Sequence, residues 1–155
     1  MMLEIANRES IERRAEEPFE AGTALISCTD MELEPVKLEN LPEYILRLQF
    51  NDVGTEDFLD FDNSTPSEGE LASLAQYHHM ITKSQAKELA EFYHSIRDKA
   101  RLIICQCEHG ESRSAAIAAA ITQYEKGQGI EYFIDERYFP NKTVYKEVYS
   151  ALNSL

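Results

Sequence analysis

The stretch IICQCEHGESRSAAIAAAITQ, Ile103 to Gln123, decides the fold. An apolar run ends at a cysteine, passes through a short polar loop, and becomes an alanine-rich segment. RLIICQC (Arg101 to Cys107) is apolar almost without interruption, the pattern of a strand covered on both faces. From about Ser112 to Lys126 the chain is apolar nearly all round, which predicts a buried helix, and KGQG supplies a glycine for its C-terminal cap. Upstream, MLEIAN reads as a short first strand and RESIERRAEE as a helix that stops near Pro18. TALISCT (Thr23 to Thr29) and YILRLQF (Tyr44 to Phe50) have the length and β-branched or aromatic content of further strands.

TKSQAKELAEFYHSIRDK is the best-marked helix. Thr82 and Gln85 have capping-box spacing, and Ala86, Leu89, Ala90, Tyr93 and Ile96 share one face. The last segment, NKTVYKEVYSALNSL, sets Val144, Tyr145, Val148, Tyr149 and Leu152 on one stripe, with both tyrosines expected in the core. Strands alternating with helices imply a single α/β domain over residues 1–155, with a central, mostly parallel β-sheet flanked by helices on both faces. In such a sheet ligands bind beyond the carboxyl ends of the strands, and Cys107 stands at one such end.

At 155 residues, 43% hydrophobic and 28% charged, the chain is expected to bury one sizeable core. Its formal charge of −13 makes nucleic acid and anionic membrane surfaces poor partners. No run approaches the ~20 apolar residues that span a bilayer, and the charged start MMLEIANRESIERRAEEPFE does not read as a secretory signal. Cys28, Cys105 and Cys107 are therefore expected as reduced thiols in a cytoplasm. Cys105-x-Cys107 is not a zinc half-site, and no second pair completes one. No feature of the sequence assigns an oligomeric state.

Leu48 to Thr82 holds seven carboxylates (Asp52, Glu56, Asp57, Asp60, Asp62, Glu68 and Glu70) and neither lysine nor arginine. Gly54, Pro66 and Gly69 mark it as mostly loop, an acidic lid over about 52–81. An EF-hand is rejected, because the frame starting at Asp60 lacks glycine at its sixth position and glutamate at its twelfth. His78 and His79 are adjacent and expected on the surface, and Cys28 and Cys105 are expected as structural thiols.

The chemistry sits in CEHGESRS, Cys107 to Ser114. A tight loop entering a helix N-terminus aims several backbone N–H groups into one concavity and adds the positive helix end, which makes an anion site. Gly110 permits a backbone angle that other residues resist. Arg113, in the first helical turn, offers a planar fork suited to two phosphate oxygens. The same positive groups favour the thiolate of Cys107. A nucleophile and an oxyanion cradle in one loop suit attack on a phosphoryl group, giving a thiophosphate that water cleaves.

CEHGESRS resembles the C-x-x-G-x-x-R-[ST] signature of the cysteine-dependent protein tyrosine phosphatases, especially the small dual-specificity type. LISCTD, LRLQFNDV, SQAKELAEFYHSI and YKEVYSAL sit as in the bacterial and phage members of that group, so the resemblance covers most of the chain. It implies a tyrosine-phosphatase-like fold with the phosphate-binding loop between strand and buried helix. Cys107 would be the nucleophile and Arg113 the clamp. Glu108, His109, Gly110, Glu111 and Ser112 would bind phosphate through their amides, and Ser114 would donate its hydroxyl to the sulfur. The family's general acid matches Asp52 in FNDV, with Asp57, Asp60 and Asp62 as alternatives in the same acidic stretch.

The sequence departs from the family in two ways. Gln106 stands where a histidine usually precedes the nucleophile; it can hydrogen-bond the loop but brings no charge. Glu108 and Glu111 put carboxylates beside the pocket, where highly phosphorylated inositides would want Lys or Arg. The expected reaction is hydrolysis of phosphate monoesters, with protein phosphotyrosine as first choice and no metal or organic cofactor required. Alternatives are a phosphate-binding protein with little turnover, a small-molecule or inositol phosphatase, and a persulfide-forming sulfurtransferase.

Overall fold

Four runs rich in isoleucine, leucine and threonine form the strands of the computed structural model, which describes residues 1–59 and 66–155. They are β1 (Met2–Ala6), β2 (Thr23–Thr29), β3 (Tyr44–Gln49) and β4 (Leu102–Gln106), in the order β1-β4-β2-β3 and parallel throughout. Every residue of β2 and β4 is buried, as expected for inner strands of a parallel sheet covered on both sides. Register sets Ala6 and Ser27 beside Gln106, and Thr29 beside Gln49. The residues that follow these strand ends, among them Cys107, Asp30 and Phe50, therefore emerge along one rim of the sheet.

Alternation along the strands sorts side chains between two cores. Ala24, Ile26, Ile103 and Cys105 face the larger one, which is filled by Leu89 and Tyr93 of α3 (Lys83–Ile96), Ile117 and Ile121 of α4 (Arg113–Lys126), and Val144, Val148 and Leu152 of α6 (Lys142–Asn153). Leu25, Leu102 and Ile104 face the smaller core, under Ile11 of α1 (Arg8–Arg14) and Val36. Each large aliphatic side chain so buried contributes about 1.5–3 kcal/mol.

Local signals match the observed helix ends. Thr82 Oγ1 accepts from Gln85 N at 3.0 Å while Gln85 Oε1 accepts from Thr82 N at 3.0 Å, the reciprocal capping box expected. Helix α4 is buried from Arg113 to Ile121 and ends at Gly127, whose φ of +66° is the left-handed C-terminal cap. In α6, Asn141 caps Val144 N at 3.0 Å. Its stripe differs in detail from expectation: Val144, Val148 and Leu152 are buried, whereas Tyr145 and Tyr149 are only half-buried, stacked in parallel on each other with centroids 5.9 Å apart. A short helix, α5 (Glu131–Ile134), precedes it.

The acidic stretch read as mostly loop contains a 3-10 turn, Thr55–Phe58, and a ten-residue helix, α2 (Glu68–Tyr77). Ser67 caps α2 by accepting from Glu70 N, and Glu68 and Glu70 sit favourably in its first turn. The helix buries no residue, so it lacks the apolar stripe that reveals α3 and α6 in the sequence. No helix among the described residues is long and apolar enough to cross a membrane.

Candidate active site

The loop after β4 is strapped to the neighbouring edge strand. Cys107 N donates to the Ala6 carbonyl at 3.3 Å, one step past the end of the β1–β4 pairing, and Arg8 N donates to the Glu108 carbonyl at 3.2 Å. Between them the loop passes so close to β1 that a Cβ on Gly110 would lie 3.1 Å from Ala6 C and Asn7 N. Gly110 also holds φ of +68°, so both space and backbone angle demand glycine. Phe139 N and Asn141 N hold the loop's other side, donating to the carbonyls of Glu111 (2.8 Å) and Ser112 (3.2 Å).

Apart from the Cys107 N–H, these straps use the loop's carbonyls and not its donors. The amides of Glu108 to Ser112 donate to no backbone carbonyl among the described residues. That is the pattern of an anion cradle, where N–H groups wait for a ligand instead of closing on the chain.

Cys107, only 2% exposed, has its Sγ 3.1 Å from Ser114 Oγ, itself fully buried on the second residue of α4. Arg113 is 3% exposed. Its Nη1 donates to the Phe50 carbonyl at 2.7 Å and pairs with Asp30 Oδ1 at 2.7 Å, which fixes one corner of the guanidinium. Its Nε is the one buried side-chain polar atom without a hydrogen-bond partner among the described residues. An unpaired buried donor on a cation is costly, and an oxyanion would satisfy it.

Gln106 is 1% exposed and lies wholly inside the sheet. Its Oε1 accepts from Ser27 Oγ, and its Nε2 donates to the Cys107 carbonyl at 2.9 Å. The glutamine thus steadies the backbone of Cys107 from beneath, by hydrogen bonds alone. Cys28 and Cys105 are buried and unpaired with each other. Burial pushes both thiols up, Cys105 to about 12, with the neighbouring Cys107 adding to the effect.

Of the candidate acids, Asp52 reaches the loop. Its Oδ1 accepts from Ser112 Oγ at 2.8 Å and from Asn141 Nδ2 at 2.9 Å. Asp57 is committed elsewhere, its Oδ2 accepting from Gly54 N at 2.8 Å to cap the 3-10 turn. Asp60 and Asp62 lie outside the described residues. The Glu108 carboxylate is turned away to Arg8 Nε, with oxygens at 2.8 and 3.0 Å, while His109 and Glu111 are exposed on the rim. His79 is exposed and His78 half-buried against Phe58, with ring centroids 5.3 Å apart.

Sequence reasoning did not single out Asp30, Ser27, Asn141 or the Phe50 carbonyl. Asp30 and Phe50 follow strand ends, where ligand sites gather in parallel sheets, and that signal could have found them. Asn141 precedes an amphipathic helix and so announces a cap, but nothing local announces its contact with Asp52, which is 89 residues away.

No family profile and no curated protein matches the chain. Among solved structures it is similar to human DUSP28, with a TM-score of 0.55 and 14% identity over 98% of this chain and 92% of that one. It is similar also to PTPMT1, solved in complex with PI(5)P, with a TM-score of 0.52 and 13% identity over 99% of this chain and 91% of that one. Both are cysteine-based phosphatases of the tyrosine and dual-specificity superfamily. At such identities the likeness is one of fold: the four-stranded parallel sheet and its helices have the phosphatase arrangement that CEHGESRS implied.

Proposed function

We propose that the protein hydrolyses phosphate monoesters through a covalent Cys107 intermediate, with protein phosphotyrosine as its substrate. The observation that carries this reading is the set of groups gathered in the loop after β4. Cys107 Sγ, the amides of Glu108 to Ser112 and the buried Nε of Arg113, these donors without a partner among the described residues, belong to one loop. The amides and the guanidinium hold the phosphoryl oxygens. The Cys107 thiolate attacks phosphorus, the ester P–O bond breaks, and Asp52 gives its proton to the leaving oxygen. Water then attacks the thiophosphate, Asp52 takes a proton from it, the P–S bond breaks, and Ser114 donates a hydrogen bond to the departing sulfur.

PTPMT1 was solved with a phosphoinositide, which makes inositides the natural rival substrate. The loop argues against them here, since between Cys107 and Arg113 it carries no lysine or arginine and exposes the Glu111 carboxylate, while the Glu108 carboxylate is taken up by Arg8. A nucleophilic thiol must stay reduced, so a reducing cytoplasm suits the unpaired cysteines.

The test is hydrolysis of p-nitrophenyl phosphate by the purified chain and by Cys107→Ser. The variant should lose turnover completely while still binding orthophosphate, and any surviving turnover would refute the covalent mechanism. A panel of phosphotyrosine, phosphoserine and phosphoinositide substrates at matched concentration should favour phosphotyrosine. A preference for the inositide would overturn the substrate assignment and leave the chemistry standing.

A further inference from the structure

We propose that Asn141 is a positioning residue for the general acid, orienting Asp52 so that Oδ2 is the oxygen that carries the transferred proton. This rests on the reading of Asp52 as the acid. Asn141 is 6% exposed and lies at the junction of three pieces of structure. Its Oδ1 accepts from Val144 N at 3.0 Å, capping α6. Its N–H donates to the Ser112 carbonyl at 3.2 Å, which ties it to the phosphate loop. Its Nδ2 donates to Asp52 Oδ1 at 2.9 Å. A side-chain amide has an acceptor face and a donor face, and here each is used on a different element.

The consequence for Asp52 is directional. Oδ1 receives two donors, Ser112 Oγ and Asn141 Nδ2, while Oδ2 receives none among the described residues. A carboxyl group whose one oxygen is saturated with donors holds its proton on the other. Asp52 is exposed and follows a strand end, so without these bonds its side chain would sample several rotamers. A second tie supports the same reading. Thr143, 5% exposed on α6, accepts from Thr55 N at 2.8 Å through Oγ1 and donates to Glu56 Oε2 at 3.2 Å. The N-terminus of α6 thus grips the acid-bearing segment at Asp52 and again three residues later.

The competing account is that Asn141 only caps α6. Asn141→Ser separates the two, because serine caps as well as asparagine but is too short to place a donor on Asp52. The measurement is kcat/KM for phenyl phosphate and for p-nitrophenyl phosphate, whose leaving group needs far less protonation. Their ratio does not depend on how much of the variant is folded. Asp52→Asn should lower kcat/KM for phenyl phosphate at least about 100-fold, the lower end of general-acid effects, and affect p-nitrophenyl phosphate much less. Asn141→Ser should lower the phenyl phosphate value about tenfold and the other by less than about threefold. In the Asp52→Asn background Asn141→Ser should add no further loss, since both act through one group.

An equal fall on both substrates, no fall at all, or additive losses in the double variant would overturn the positioning role while Asp52 stands as acid. An unchanged substrate ratio in Asp52→Asn would remove the acid assignment and the positioning role with it. The covalent mechanism is judged separately by Cys107→Ser.

Discussion

Replacing Arg113 by lysine keeps the charge and removes the fork. In the structure Nη1 is occupied by the Phe50 carbonyl and Asp30, both at 2.7 Å, while Nε is buried and without a partner among the described residues. Only a planar group can hold Asp30 at one corner and present further donors to an anion. A lysine ammonium at this depth has Asp30 as its nearest anion and would settle there. The substrate then loses two charge-assisted hydrogen bonds worth about 1.5–3 kcal/mol each, a total of about 3–6 kcal/mol. At 1.36 kcal/mol per tenfold, kcat/KM should fall about 10²- to 10⁴-fold. Stability should change far less. The Phe50 carbonyl can lose its donor, but the orphaned Nε is also removed, so a net of about 1 kcal/mol and a Tm shift within about 4 °C is expected. The assay is kcat/KM for p-nitrophenyl phosphate alongside competitive inhibition by orthophosphate, with Tm as the fold control. Activity within about fivefold of the parent would refute the clamp. A large fall in activity with unchanged phosphate inhibition would show that Arg113 does not hold the anion.

Two further outcomes follow from the same loop. Ser114→Ala, which removes the hydroxyl 3.1 Å from Cys107 Sγ, should lower kcat about tenfold while leaving kcat/KM within about threefold. The first milliseconds should then show a burst of phenol, and equal falls in both constants would contradict a role in breakdown of the intermediate. The buried thiols give a pH-dependent prediction. Burial disfavours the charged form, so with its pKa pushed up to about 12 Cys105 stays a thiol at pH 8, and Cys28 is pushed the same way. Iodoacetamide at pH 8 should label Cys107 alone, with orthophosphate protecting it, and all three cysteines once guanidinium unfolds the chain. Mass spectrometry showing Cys105 labelled as fast as Cys107 would contradict this.

Much of the fold was legible because burial on both faces forces a recognisable composition. RLIICQC and TALISCT could be little other than inner strands, and the all-round apolar character from Ser112 onward marked a helix that is buried on every side from Arg113 to Ile121. Helix α3 announced itself through a capping box and one apolar face. Helix α2 did not, since a helix that buries nothing imposes no period on its sequence. The half-burial of Tyr145 and Tyr149 was misread for a related reason: a stripe gives the side of the helix but not how far the neighbouring layer extends over it.

The sequence by itself determined the grouping of side chains that is local in the chain. A thiol, a glycine and an arginine within Cys107 to Arg113 can converge on one anion because a single loop turn brings them together. The tertiary structure decided what is distant. It set Asp30 and the Phe50 carbonyl on one corner of Arg113, placed Ser27 against Gln106, and brought Asp52 to Ser112 and Asn141. Those contacts span tens of residues and depend on the order β1-β4-β2-β3, which ends neighbouring strands along one rim. Hydrophobic periodicity specifies which face of an element is buried but not which strand lies beside it. The groups that surround Cys107, Arg113 and Asp52 therefore became visible only once the sheet was assembled.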